Sequence, residues 1–274
     1  LEYYRSQLRK HDQKWEFVYL HFKNFVHGKC TFEEIDIDLC NKFREYLLNV
    51  KKLRRNGRIS QNSASGYWST FRGFLKILYR NGLIKTNVND FLDKIGTEDV
   101  VKDYLSVEEL YKLAETPCKK PILKTASLFS CMTSLRISDI LALRWEDIVD
   151  YSAGGKCVHI ITQKNKAEDI IPISDEALEL IGYKPEKKGL VFKGLMRCWT
   201  QTPMKEWIHS AGINKNITFH SYRRTFATLQ AAAGTDIRTI QSMMAHKSIT
   251  TTQRYMKVVD SNKREACKKI TLTR

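Results

Sequence analysis

The sequence predicts a mainly α-helical protein in two parts, the second interrupted by one small β-hairpin. Three observations carry this. Apolar residues recur at three- and four-residue spacing through residues 3–92, the period of a half-buried helix. Two β-branched runs, CVHIIT (157–162) and DIIPIS (169–174), flank the turn QKNKAE, which is the pattern of a hairpin. A hydrophilic joint, KIGTEDVVKDY, runs from 94 to 104 between the two parts. No period of 20–50 residues recurs, so a repeat architecture is excluded.

The elements follow in order. Residues 3–28 place Leu8, Trp15, Val18, Tyr19, Phe22 and Phe25 on one broad helical face, ended by Gly28. Residues 36–55 repeat the pattern through Leu39, Phe43, Tyr46, Leu47 and Val50. A third helix is expected from Ser60 to Arg80, closed by Asn81 and Gly82, and a short fourth from Asn87 to Leu92. Beyond the joint, Ser106 and Glu109 have the spacing of a capping box, the start signal of a new helix. The expected domains are therefore 1–98 and 99–274. The second holds helices near 106–115, 120–132, 136–143, 174–180, 202–210, 220–233, 236–244 and 249–255. Residues 260–274 read as a polar, basic tail that is loose or docks on something.

The charge narrows the partner. The 274 residues carry a formal net charge of +16, which favours a polyanion such as nucleic acid. Both parts are basic, with 18 basic and 11 acidic residues up to 98, and 28 and 19 after it. From 46 to 89 there is no acidic residue, yet Lys51, Lys52, Arg54, Arg55, Arg58, Arg72, Lys76, Arg80 and Lys85 lie there among Tyr67, Trp68, Phe71, Phe74 and Tyr79. Such a one-signed field costs self-repulsion that a polyanion relieves. A merely solvated basic face is the plainer alternative. Gln61, Asn62, Ser63, Tyr67 and Arg72 on the third helix are the candidates for reading bases.

Other classes lose support. No run approaches the ~18 apolar residues of a membrane span, and no secretory leader is visible. Seven cysteines are scattered with no Cys-x-x-Cys pair, which suits reduced thiols in the cytoplasm rather than a disulfide framework or a zinc site. There is no phosphate-binding Gly-x-x-x-x-Gly-Lys loop and no Gly-x-Gly-x-x-Gly. The start at Leu1 rather than Met suggests that an N-terminal segment precedes this sequence.

A set of polar residues in apolar helical settings remains. Arg136 lies in TSLRISD, where one apolar helix ends and another begins. Lys164 and Lys166 lie on the hairpin turn. His220 and Arg223, at i and i+3, share a helix face. His246 closes IQSMMAH, and Tyr255 follows nine residues later. Each has a plainer role. Arg136 pairs with Asp139 at a helix start, a lysine on a turn is solvated, and a histidine at a helix start is ordinary. Their order and spacing together are harder to set aside.

Arg in Thr-Ser-Leu-Arg, Lys on a β-turn, His-x-x-Arg, a later His, and Tyr nine residues on resemble the tyrosine recombinases of the phage-integrase family, of the mobile-element type. The resemblance spans the chain and is densest from His220 to Tyr255. It implies an N-terminal core-binding domain of SAM-like fold on 1–98. It implies a catalytic domain on 99–274, α-rich with its small β-hairpin sheet. The catalytic set it implies is Arg136, Lys164, His220, Arg223, His246 and Tyr255, with Lys166 still open beside Lys164. Lys164 is preferred because it stands eight residues before Pro172. The sequence departs from the family pattern at Ser134 and Ala245, where glycine is frequent, and at Arg224, where histidine is frequent. Arg224 points elsewhere on the helix than the His-x-x-Arg pair, as a supporting or backbone-phosphate contact.

The chemistry needs these residue types. A phosphodiester under attack gains charge on its non-bridging oxygens, and two planar guanidiniums match them bidentately. Arg136 and Arg223 supply that clamp without metal or other cofactor. Tyr255 is the nucleophile, His220 accepts its proton or orients the phosphate, His246 donates to an oxygen, and Lys164 protonates the leaving 5′-hydroxyl. The 3′-phosphotyrosine link keeps the bond energy, so no ATP is needed. The implied partners are double-stranded DNA, three further copies in a tetramer docked through 260–274, and DNA-bending accessory proteins. There is no membrane partner, and the location is the cytoplasm at the nucleoid. Two rivals stand beside this reading: a type IB topoisomerase-like relaxer and a non-catalytic DNA-binding relative.

Overall fold

The computed structural model describes residues 1–6, 13–53, 56–100, 102–161 and 168–256. It divides into two compact units, Leu1–Val100 and Val101–Arg274.

In the first unit, helices α1 (Glu2–Ser6), α2 (Gln13–Phe25), α3 (Ile37–Asn49) and α4 (Gln61–Arg80) surround an aromatic core. The helix starts follow from side-chain caps. Asp36 accepts from Leu39 N at 2.7 Å, and Ser60 accepts from Ser63 N at 3.2 Å, each satisfying a main-chain donor that has no helical partner. On α4, Trp68, Phe71, Leu75 and Leu78 are buried and Lys76, Tyr79 and Arg80 exposed. The stop after Arg80 needs a left-handed residue, and Gly82 supplies it with φ 68°. Phe43 meets Phe22 at 5.1 Å and Phe71 at 4.7 Å between ring centroids, and Tyr4 meets Phe74 at 4.3 Å. Burying each such ring contributes roughly 1.5–3 kcal/mol.

Two expectations shift here. The helix expected over 36–55 stops at Asn49, because Gly57, at φ 93°, lets the chain reverse. Lys52 N then donates to Gly57 O at 2.9 Å, and Lys51 bridges Arg58. The short helix expected at 87–92 is a single 3₁₀ turn, Val88–Phe91.

In the second unit, α5 (Val107–Glu115) starts at the expected capping box: Ser106 N donates to Glu109 Oε2 at 2.7 Å, and Glu109 N to Ser106 Oγ at 3.2 Å. Helix α6 (Pro121–Thr133) has residues 126–131 all buried, so it is central rather than amphipathic. α7 (Ile137–Ala142) follows a three-residue break, Ser134 to Arg136. The hairpin belongs to a three-stranded antiparallel sheet, β1 (Ile148–Asp150), β2 (Lys156–Ile161) and β3 (Glu168–Ile173), in the order β1-β2-β3. β1 is too short to show a period in the sequence, and it forms because Ile148 pairs with Val158. The sheet's inner face carries Ile148, Val158, Ile171 and Ile173, all buried, and joins the core around α6. Then come α8 (Asp175–Leu180), α9 (Thr202–Ser210), α10 (Phe219–Ala232), α11 (Ile237–Met243) and α12 (Ile249–Met256). α10 packs on α6, and α11 and α12 close over its second half around Phe226, Ala227, Ala231, Ile240 and Met244. Among the described residues no helix is long and apolar enough to cross a membrane.

Candidate active site

Five of the six expected catalytic residues lie at or beside four helix ends in the second unit. Lys164, with Lys166, lies outside the described residues. Arg136 is the residue just before α7, in extended conformation. Its guanidinium stands 3.8 Å from the buried carboxylate of Asp139. The plainer role weighed for Arg136 is therefore present as well.

His220 and Arg223 occupy the first turns of α10, whose start is fixed by Thr218 N donating to Ser221 Oγ at 3.1 Å. Arg223 is 2% exposed. Its Nη1 donates to Ser134 O at 2.6 Å and its Nη2 donates to Met244 O. Ser134 caps the C-terminal end of α6, and Met244 caps that of α11. The guanidinium therefore neutralises two helix C-termini at once, and three of its five N–H groups remain to donate elsewhere. Ser134 adds a third tie, its Oγ donating to Met243 O at 2.7 Å.

The two departures at glycine positions, Ser134 and Ala245, now have a physical meaning. Ser134 has φ 62° and Ala245 has φ 46°, the left-handed region where glycine is easiest. Each turn immediately precedes a site residue, Arg136 or His246, and Arg223 binds a carbonyl in or beside each turn. The αL turns aim the two side chains, and the shared guanidinium holds the turns together.

His246 is held through both its main chain and its ring. Its main-chain N donates to Gln241 O at 3.1 Å, and its Nδ1 lies 3.0 Å from Thr252 Oγ1. Tyr255, near the end of α12, stacks on His246 with ring centroids 6.2 Å apart and planes 13° from parallel. Thr252 and Tyr255 share the inner face of α12 at i and i+3. Sequence reasoning missed Thr252, since nothing distinguishes it from Thr250 and Thr251 except the face it occupies.

The electrostatics tie the set together. The His220 imidazole is drawn down to about 4, by partial burial first and then by Arg223, Arg224, Lys102 and Arg136, although the residue keeps an exposed edge. It is neutral at pH 7 and able to accept a proton. Burial, and then Arg136, draw Arg223 down to about 10, while Tyr255, Asp139 and Asp169 act the other way; it stays cationic. Arg224 is half-buried, and its Nη1 donates to Asp103 O at 3.0 Å. Leu105 N donates to Thr225 Oγ1 at 2.9 Å, so the strand of chain before α5 is strapped to α10. Asp139 also walls a cavity of about 640 Å³ shared with Arg144, Asp147, His159, Ile160 and Glu168. Among the described residues no cluster of three or more His, Cys, Asp or Glu side chains has metal-binding geometry.

The expected DNA-contact residues of the first unit divide. Lys51, Lys52 and Arg58 are exposed on the turn after α3, and Lys76 and Arg80 are exposed on α4. Arg54 and Arg55 lie outside the described residues. Three others are engaged internally. Arg72 donates to Asn89 Oδ1 at 3.1 Å and Asn89 O at 2.9 Å. Asn62 exchanges two 2.9 Å bonds with the main chain of Glu98. Tyr67 packs on Phe17 and His21.

Residues 103–262 match the Phage integrase family, and residues 1–94 match the Phage integrase SAM-like domain. The chain belongs to the phage integrase family. The recombinase is 27% identical over 255 residues to the Tyrosine recombinase of Pseudothermotoga lettingae, covering 88% of this chain and 87% of that one. Its fold is that of XerH site-specific recombinase in a post-cleavage complex with palindromic difH substrate, with a TM-score of 0.72 at 17% identity over 93% of this chain and 78% of that one. It is also that of a lambda integrase (75–356) dimer bound to a COC′ core site, with a TM-score of 0.67 at 18% identity over 93% of each. The chain is a site-specific recombinase, an enzyme of the class that cleaves and rejoins DNA. Neither rival reading is favoured.

Proposed function

We propose that Tyr255 of this recombinase attacks the scissile phosphate of double-stranded DNA, with Arg136 and Arg223 clamping the non-bridging oxygens. The observation that carries this is the convergence of separate helix ends on one spot, with Tyr255 stacked on His246 and Arg223 stitching the two turns before Arg136 and His246. The phenol passes its proton to the neutral His220. The Tyr255 Oη–phosphorus bond forms, the phosphorus–O5′ bond breaks, and the leaving O5′ takes a proton from Lys164. His246 donates to a non-bridging oxygen. The reverse attack by the 5′-hydroxyl of a second duplex completes strand exchange without ATP or metal.

The exposed cations Lys51, Lys52, Arg58, Lys76 and Arg80 support a phosphate-tracking surface on the first unit, to which we add Arg54 and Arg55 from sequence. Arg72, Asn62 and Tyr67 are assigned instead to holding α4 against the segment after it and against α2. Arg224 serves as a supporting contact. The working assembly we propose is a tetramer on two DNA sites, joined through residues 260–274 and aided by DNA-bending proteins. The proposed setting is a mobile element integrating at the nucleoid in the cytoplasm, with 1–98 as the core-binding domain and 99–274 as the catalytic one.

A nicked suicide duplex tests the nucleophile. Wild type is expected to become covalently joined to DNA in the presence of chelator, and Tyr255→Phe is not. An adduct on Tyr255→Phe, or none on wild type, overturns the assignment. A two-site DNA assay tests the reaction's outcome: relaxation with no recombinant products would favour the topoisomerase-like rival.

A further inference from the structure

Asp169 stands on β3, the strand that leaves the hairpin turn. Its register partner is Ile160 on β2, and strand alternation sets it on the inner face with Ile171 and Ile173. Its neighbours on that strand, Glu168 and Ile170, are exposed on the other face. An acidic residue between Ile160 and Ile171 on the inner face is costly unless charge compensates it. Asp169 Oδ2 is buried and accepts no hydrogen bond among the described residues. The charges acting on it are Arg136 and Arg223, and the like charge of Asp139. Burial raises its carboxyl above the usual aspartate value, and the two arginines oppose that rise. Arg223 and Arg136 themselves repel each other across the site.

We infer that Asp169 is a positioning residue for the reaction, a partly buried counter-charge on the sheet that holds the Arg136 and Arg223 guanidiniums together before the phosphate arrives. Two cations kept close in a buried site need anions to offset their repulsion. Asp139 supplies one from the helix side, within an ion pair to Arg136. Asp169 supplies the second from the sheet side, and so ties the position of the hairpin strand to that of the arginines. This rests on the assignment of Arg136 and Arg223 as the phosphate clamp.

The test compares wild type, Asp169→Asn, Asp169→Glu and Tyr255→Phe on the nicked suicide duplex. Single-turnover cleavage, DNA affinity and Tm are measured for each. Asp169→Asn keeps the shape and removes the charge. It is expected to slow cleavage about tenfold, less than the ~10²–10³ lost with a direct donor. Its DNA affinity should stay within twofold, and its Tm should hold or rise, because an unbonded buried carboxylate oxygen has been replaced by a neutral amide. Asp169→Glu should recover part of the rate. Wild-type cleavage by Asp169→Asn overturns the inference, and so does a loss of rate that comes with a loss of Tm. If wild type itself forms no adduct, the assignment of the site has failed, which is a different result.

Discussion

The aromatic core of the first unit and the site of the second are held by different physics. In the first unit, rings meet rings: Phe22, Phe43, Phe71, Phe74, Trp68 and Tyr4 form a continuous aromatic network. In the second, the hydrophobic core lies beneath a site stitched by side chains bound to main-chain carbonyls, with Arg223 and Ser134 at its centre. Dispersion and burial are non-directional and reward volume. A charged N–H···O bond rewards direction and is short-ranged. The first unit therefore answers to the size of its residues, and the site answers to their placement.

The comparison is broken most strongly by emptying the ring network. Phe43→Ala removes a fully buried ring that touches three other phenylalanines, and a loss of about 3–5 kcal/mol is expected in urea unfolding. A loss below about 1 kcal/mol would show that the network repacks.

Arg223→Ala is the matching change at the site. Cleavage of the suicide duplex is expected to fall by ~10²–10³. The Ser134 and Met244 carbonyls also lose their donor, at a further stability cost of about 1–3 kcal/mol. Arg223→Lys retains charge but not the fork, so it should cleave nearly as poorly. Full activity with lysine would show that charge alone suffices.

A third change tests a buried imidazole beside the ring network. His21 is fully buried against Tyr46 and Tyr67, and neither ring nitrogen has a hydrogen-bond partner among the described residues. Burial lowers its pKa from 6.5, so the unfolded chain binds the proton more readily than the folded one. Stability is then complete above pH 6.5 and lost as pH falls below it. His21→Phe should remove that acid slope and raise stability by about 1 kcal/mol. An unchanged slope of Tm against pH would refute the assignment.

The smallest effect is expected at the αL turn before His246. Ala245→Gly relieves a positive-φ alanine and should stabilise by up to about 1 kcal/mol, with cleavage close to wild type. Ser134→Gly loses the hydroxyl bond to Met243 O as it relieves the same kind of turn, so its net change in Tm should be near zero. A larger gain at Ser134 than at Ala245 would contradict the role given to that bond.

Much of this was legible in one sequence because it rests on local periodicity. The helical faces of α2, α3 and α4, the Ser106 capping box and the β2–β3 hairpin all follow from neighbours a few residues apart. β1 was not legible, since three residues carry no period and it exists through its partner. The end of α3 was misjudged because apolar spacing continued to Val50 while Gly57 reversed the chain. Arg72 and Asn62 looked like contacts for DNA because their sequence neighbours are basic. Their actual partners, Asn89 and Glu98, lie 17 and 36 residues away.

By itself the sequence determined that two basic, mainly helical parts exist. It also singled out His220, Arg223, His246 and Tyr255 as a candidate set, because motif order and spacing are properties of the chain. The tertiary structure decided what holds that set together: the two αL turns, the carbonyls on Arg223, Thr252 behind His246, and Asp169 on the inner face of the sheet. These depend on contacts between residues up to ~110 positions apart. A pattern along the chain shows which face a residue takes, but only folding decides what that face meets.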